Sequence, residues 1–134
     1  MAKSDTFLKF GKDSEQMYAD VNDRGFSGKL TNIQIFMMAA SIGYSKNRRV
    51  RDFTRASNGP RTTIREEHLA FLNCLHMSAT KDVSKLVDLV ERDKVAEEFA
   101  EGGIRVLHEK LHDPNVHSFV NWVIAEMRTS FSKK

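Results

Sequence analysis

The chain has 134 residues with a formal net charge of +3, and 40% of its residues are hydrophobic while 29% are charged. This length predicts one domain, which can bury a core without disulfides or structural metals. The sequence contains no apolar run near the roughly 20 residues of a membrane span, and no signal-peptide pattern at its start. With only one cysteine, Cys74, we expect no internal disulfide, a cytoplasmic location and no membrane partner, and we interpret Cys74 as a small core residue.

The first third of the chain predicts two helices. We expect a flexible N-terminal arm over residues 1–12 and a single helical domain over residues 13–131. A short helix precedes Gly25 and carries Met17, Tyr18 and Val21. Its apolar residues recur at helical spacing, so this segment should dock one face on the core.

The second predicted helix is apolar on nearly every side. Thr31 and Gln34 have the spacing of a capping box, and Gly43 stands where a left-handed helix cap is expected. An all-apolar helix of about a dozen residues is typical of a buried central element.

The rest of the chain also reads as helices. Thr63 and Glu66 form a second capping-box pattern, residues 81–92 have the clearest amphipathic pattern, and helical periodicity continues over 93–113 and again over 116–131. No segment alternates apolar and polar residues. The sequence therefore predicts an all-α fold, a single-domain irregular bundle of about six helices.

A polar segment between the second and third predicted helices is strongly basic. Residues 46–65 hold seven basic residues and one acid, and arginine predominates, which favours bidentate contacts to phosphate or carboxylate. We predict these residues as candidate nucleic-acid contacts: Lys46, Arg48, Arg49, Arg51, Arg55, Arg61 and Arg65. The alternative is a solvated loop, or one that folds against the acidic half of the same or a neighbouring molecule. Only Tyr44 and Phe53 lie there to stack on bases, so base readout is not indicated.

A second motif suggests different chemistry. His108, Glu109 and His112 match the HExxH pattern, in which two histidines of one helix face bind Zn²⁺ and the glutamate activates water. A third ligand is needed; His117 is a poor fit and Glu126 is the other option. We favour the interpretation that the two histidines flank a core stripe, so we predict no metal and no cofactor.

Other catalytic signatures are missing from the sequence. There is no phosphate-binding glycine loop and no nucleophile elbow. We expect the carboxylates on solvated helix faces, and we nominate no catalytic residue. A non-enzymatic protein is favoured.

The order of two motifs resembles a known family. Phe36, Ala39, Ala40, Gly43 and Tyr44 are followed by basic residues; the second motif comprises Ala96, Glu97 or Glu98, Phe99, Ala100, Gly102, Gly103 and Ile104. This pattern resembles the DNA phosphorothioation (Dnd) system-associated protein 4 family over roughly residues 26–111. The likeness does not extend to the last helix with Trp122, and Phe99 stands where tyrosine is more usual.

The resemblance implies a prokaryotic DNA-modification, restriction and phage-defence context, without a known reaction. We therefore expect a non-catalytic accessory or regulatory protein that binds the DNA backbone, or a larger protein of the module, through the basic segment. The alternatives are a small helical zinc metalloenzyme using residues 108–112, and a homo-oligomeric scaffold. Glu97, Glu98, Gly102 and Gly103 would form either a partner surface or, as we prefer, a close helix contact.

Overall fold

The computed structural model describes residues 11–54, 66–81 and 89–132 of the chain. Five α-helices lie in these ranges: α1 Glu15–Asp20, α2 Asn32–Ser45, α3 Glu66–Thr80, α4 Leu89–Leu111 and α5 Phe119–Ser132. A 3₁₀ turn, Lys12–Ser14, precedes α1, and a π-helical turn, Val21–Gly25, extends it. None of the described residues forms a β-strand, so the predicted all-α class is confirmed. No helix among them is long and apolar enough to cross a membrane.

The prediction of about six helices is slightly too high. Residues 89–92 belong to the same helix as residues 93–111, so no new helix begins at Asp93. The Asp93 carboxylate does not cap a helix start; it lies in a buried ion pair with Arg92, whose Nε is 3.0 Å from Oδ1. No glycine or proline stands nearby to interrupt the backbone hydrogen bonds.

Helix α2 is the buried centre of the fold, as its all-apolar sequence predicts. Thr31 Oγ1 accepts a hydrogen bond from the Gln34 amide at 3.3 Å, and Gln34 Oε1 accepts one from the Thr31 amide at 2.9 Å, so the first capping box is confirmed. Helix α2 packs along α4, and these two helices carry most of the core. The second predicted capping box includes Thr63, which lies outside the described residues.

The predicted helix cap at Gly43 is wrong. Helix α2 continues to Ser45, and Asn47, with φ of 55°, takes the left-handed conformation instead. The Arg48 amide donates to the Gly43 carbonyl at 2.7 Å and the Asn47 amide to the Tyr44 carbonyl at 3.1 Å, which is a Schellman motif. Asparagine tolerates this conformation because its short polar side chain bonds locally.

Glycine is required at position 43 for packing. A Cβ there would collide with the carbonyl of Phe99 in α4. Two further glycines of α4 make the same kind of approach: a Cβ at Gly103 would collide with the carbonyl of Ala39, and one at Gly102 with that of Arg48. We call Gly43, Gly102 and Gly103 the glycine contact. It brings the backbone of α4 against α2 and against the segment that follows α2, and α4 remains helical through it.

The interpretation of Cys74 as a core residue is also wrong, because its side chain is exposed. Over residues 71–80 of α3, where the structure describes the side chains, the buried residues are Leu72, Leu75 and His76. One position along a helix rotates the side chain by about 100°, so a residue next to Leu75 in sequence need not share its buried face.

Candidate nucleic-acid interface

The basic segment begins where α2 ends and crosses α4. The Val50 amide donates to the Glu98 carbonyl at 3.1 Å, and farther along the Lys12 amide donates to the Thr54 carbonyl at 2.7 Å. Together with the Schellman motif, these bonds fix residues 46–54 against the helices. Gly11 and Lys12, the last residues of the predicted N-terminal arm, therefore lie against the body of the protein.

Two of the predicted nucleic-acid residues form ion pairs within the chain. Arg49 Nε donates to Glu98 Oε1 at 2.7 Å, and its guanidinium carbon lies 5.3 Å from the centre of the Phe99 ring. Lys46 Nζ lies 3.2 Å from a carboxylate oxygen of Glu126 and 5.9 Å from the Trp122 ring centre. Both side chains therefore pair with acids of the same molecule.

Two others face solvent. Arg48 and Arg51, which we call the outer arginines, are exposed. Neither forms an ion pair with another residue of the described ranges. Their charge is therefore available to a partner. The remaining predicted residues, Arg55, Arg61 and Arg65, lie outside the described residues.

A pocket of about 360 Å³ opens between the basic segment and α3. We call it the basic pocket; its lining residues are Tyr44, Asn47, Arg49, Arg51, Ser78, Ala79 and Phe99. Tyr44 is 44% exposed and packs edge-to-face on Phe99, with ring centres 5.5 Å apart. The volume suits a small group, and guanidinium, amide and hydroxyl donors around an aromatic ring suit an anion attached to a flat or apolar body.

The expectation that the carboxylates lie on solvated helix faces is wrong for α4. Asp93, Glu97, Glu98 and Glu101, which we call the acidic face, are all buried. The basic segment contacts Glu98 through the Arg49 side chain and the Val50 amide, and the turn before α1 contacts Glu101 through Ser14. The close approach of backbones at the glycine contact makes these contacts possible.

Asp93, Glu98 and Glu101 each have a paired carboxylate oxygen, whereas Glu101 Oε1 is buried without a hydrogen-bond partner. Glu101 Oε2 accepts hydrogen bonds from Ser14 Oγ at 2.5 Å and from Arg105 Nε at 3.0 Å. A Cβ at Gly11 would meet the same carboxylate, so a larger residue there would require the Glu101 side chain to shift. Burial raises the pKa of Tyr18 well above its ordinary value, and the negative charges of Glu101 and Glu97 raise it further. The acidic face is therefore an internal ionic network.

The structure also shows the surroundings of the HExxH residues. The rings of His108 and His112 lie edge-to-face with centres 4.6 Å apart, and Glu109 is exposed. His108 Nε2 lies 3.1 Å from Asp20 Oδ2, across the α1–α4 contact. Neither third ligand considered from the sequence is near: Glu126 pairs with Lys46, and His117 is exposed on the loop before α5.

Asp20 is a residue that sequence reasoning missed. It precedes His108 by 88 positions and belongs to no motif, so no sequence signal connects the two. A hydrogen bond from Gln16 at 2.9 Å, and a second from His108, hold the pKa of Asp20 below its ordinary value.

The fold and its charge distribution define a small all-α protein with an exposed basic loop and an internalised acidic helix face. The family model of DNA sulphur modification system-associated protein 4 matches residues 8–133. The chain therefore belongs to that family, as the motifs around Gly43 and Gly102 suggested. The match includes α5 and Trp122, which lay beyond the resemblance seen in the sequence. No curated protein and no solved structure matches the chain.

Proposed function

We propose that this protein is a non-catalytic accessory or regulatory protein of a DNA sulphur modification system, and that it binds the DNA backbone through the outer arginines and the basic pocket. Family membership associates the chain with such a system. The observation that supports DNA contact is the exposure of Arg48 and Arg51 on a segment whose backbone is already ordered.

Ordered backbone matters because binding costs entropy whenever a loop must be fixed. The Schellman motif and the Val50 and Thr54 hydrogen bonds hold the segment before any partner arrives. Arginines presented in this way lose only side-chain freedom when they meet a phosphate. The part-buried ion pair of Arg49 with Glu98 also holds the segment against α4.

The basic pocket is where we propose that a phosphate group binds. Arg51 lies at the pocket and also faces solvent, and Asn47 and Ser78 add neutral donors. A phosphate group can sit against these donors while the attached sugar or base meets the Tyr44 ring. Such a contact recognises backbone and stacking, not a base sequence.

The homo-oligomeric scaffold is less well supported. It was expected to pair the basic segment with the acidic helices of a neighbouring molecule. In α4 the four residues of the acidic face are buried and already interact within the same chain. A larger protein of the modification system remains the partner to consider if DNA does not bind.

The test is the salt dependence of binding to a labelled DNA duplex, followed by fluorescence anisotropy. Each phosphate contact contributes roughly 0.9 to the slope of log K against log salt, so Arg48→Ala/Arg51→Ala should weaken binding and lower the slope by roughly 2. The control, Lys29→Ala/Lys94→Ala, removes the same charge from two exposed residues elsewhere. If the wild type does not bind DNA at low salt, the basic segment is assigned to a protein partner. If both double variants lose the same affinity, the effect is one of net charge and not of the outer arginines.

A further inference from the structure

We propose that Asp20, His108 and His112 form a binding site for a divalent first-row transition metal where α1 meets α4. The proposal is independent of DNA binding. It concerns a different surface and a group of donors that come from two separate helices.

The two histidines are placed for joint coordination. They are four positions apart on α4, so both imidazoles leave the same face of the helix. Their rings are in contact, with centres 4.6 Å apart. Two exposed or half-exposed imidazoles held together contribute little to the core, because neither is buried.

Asp20 supplies the third donor. One ligand atom from each of the three side chains can be chosen so that all three lie within 4.8 Å of one another. Ligands bound to zinc at about 2.1 Å in tetrahedral geometry are roughly 3.4 Å apart. The pair of His108 and Asp20, at 3.1 Å, already has this spacing. The exposed side chain of His112 is free to complete it by rotation.

A hydrogen bond behind the carboxylate also fits this arrangement. Gln16 Nε2 donates to Asp20 Oδ1 at 2.9 Å, which leaves Oδ2 directed at His108. Carboxylates that bind metals are commonly oriented by such outer partners. Gln16 and Asp20 are both on α1, so the orientation is set within one helix.

The donor set indicates the class of metal. Two imidazoles and one carboxylate suit Zn²⁺ and also match the triad that binds non-haem Fe²⁺. Three protein ligands leave at least one coordination position open to water or an anion. Glu109 is exposed and is not needed as a ligand. A bound metal would also join α1 to α4 and so stabilise the N-terminal end of the fold.

The experiment is calorimetric titration of the chelator-treated full chain with Zn²⁺, and with Fe²⁺ under anaerobic conditions. We expect one equivalent of metal to bind. The ion with the lower dissociation constant is the preferred metal. Loss of an outer-shell partner alone weakens metal binding about 10–100-fold. Asp20→Asn and His112→Ala, which remove ligands, should therefore weaken it by at least about 100-fold.

Two variants serve as matched controls. Glu109→Gln and His117→Ala change exposed residues close in sequence that are not in the proposed site, and both should bind metal like the wild type. Circular dichroism melting in the absence of metal checks that each variant folds. If neither Zn²⁺ nor Fe²⁺ binds to the wild type at one equivalent, the proposal is overturned. Undiminished binding by Asp20→Asn would also overturn it, because the site would then be a chelate of one helix only.

Discussion

The acidic face of α4 and the outer arginines are both dense in charge, yet the fold treats them in opposite ways. Asp93, Glu97, Glu98 and Glu101 are buried, although a cluster of acids in a sequence usually marks a solvated surface. The outer arginines stay in solvent without a described ion pair. The difference shows that charge density alone does not identify an interaction surface. The two regions differ in whether the described residues of the chain already supply a partner.

The largest effect tests the glycine contact, which holds α4, the helix of the acidic face, against α2. Gly103→Ala places a methyl group against the backbone of Ala39, and backbone cannot move aside like a flexible side chain. We expect a loss of about 3 kcal/mol or more in the free energy of unfolding, measured with denaturant. Lys94→Ala, at an exposed position of the same helix, should change it by less than about 0.5 kcal/mol. Equal stability of the two variants would contradict the glycine contact.

The next test asks whether the basic segment contains a structural arginine. Arg49→Ala leaves the Glu98 carboxylate, whose side chain is 3% exposed, without its guanidinium partner. An uncompensated buried charge is costly, and because Arg49 itself is partly exposed we expect a loss of about 2 kcal/mol in unfolding free energy. Arg51→Ala, two positions along and exposed, should leave stability unchanged. If Arg49→Ala and Arg51→Ala melt at the same temperature, Arg49 has no structural role that Arg51 lacks.

The acidic face also predicts a response to alkali. The pKa of Tyr18 is raised in the folded protein, so the neutral phenol is favoured there and the unfolded chain ionises first. This contribution to stability is complete below the unfolded pKa of about 10 and is lost as the pH rises through the folded value. Melting temperature should therefore fall above pH about 10, and less steeply in Tyr18→Phe.

Tyr44 is the matched control, since the chain has two tyrosines and Tyr44 is 44% exposed. Tyr44→Phe should leave the alkaline fall in melting temperature as it is in the wild type. A fall that is identical in Tyr18→Phe would exclude the buried phenol as its cause.

The smallest effect is expected at the edge of the basic segment. Lys46 pairs with Glu126, but the side chains are 35% and 25% exposed, and such pairs contribute little because water screens them. Lys46→Ala should therefore cost less than about 1 kcal/mol in chemical denaturation, well below Arg49→Ala. A loss as large as that of Arg49→Ala would mean that exposure does not separate the two pairs.

The features that could be predicted from sequence are local ones. The helical class and the Thr31 capping box depend on residues within a few positions of each other, and both are confirmed. The features that could not be predicted depend on distant contacts. Arg49 and Glu98 are 49 positions apart, and Asp20 and His108 are 88 apart. The sequence around each of these residues gives no sign of its distant partner.

The same distinction explains the errors. Gly43 was predicted to cap a helix because glycine favours left-handed backbone. In the structure, glycine is required there because α4 packs against it. The acids of α4 looked solvated because the segments that cover them come from before α1 and after α2. The family motif carried information about that contact, since its glycines are the positions at which the backbone of another segment comes close.

The central claim of the proposal is that the outer arginines contact DNA. The most direct measurement is the dissociation constant for one DNA duplex at a single low salt concentration, for Arg48→Ala/Arg51→Ala and for Lys29→Ala/Lys94→Ala. The account predicts that both variants melt like the wild type and that only the first loses most of its affinity. Wild-type affinity in Arg48→Ala/Arg51→Ala would contradict it.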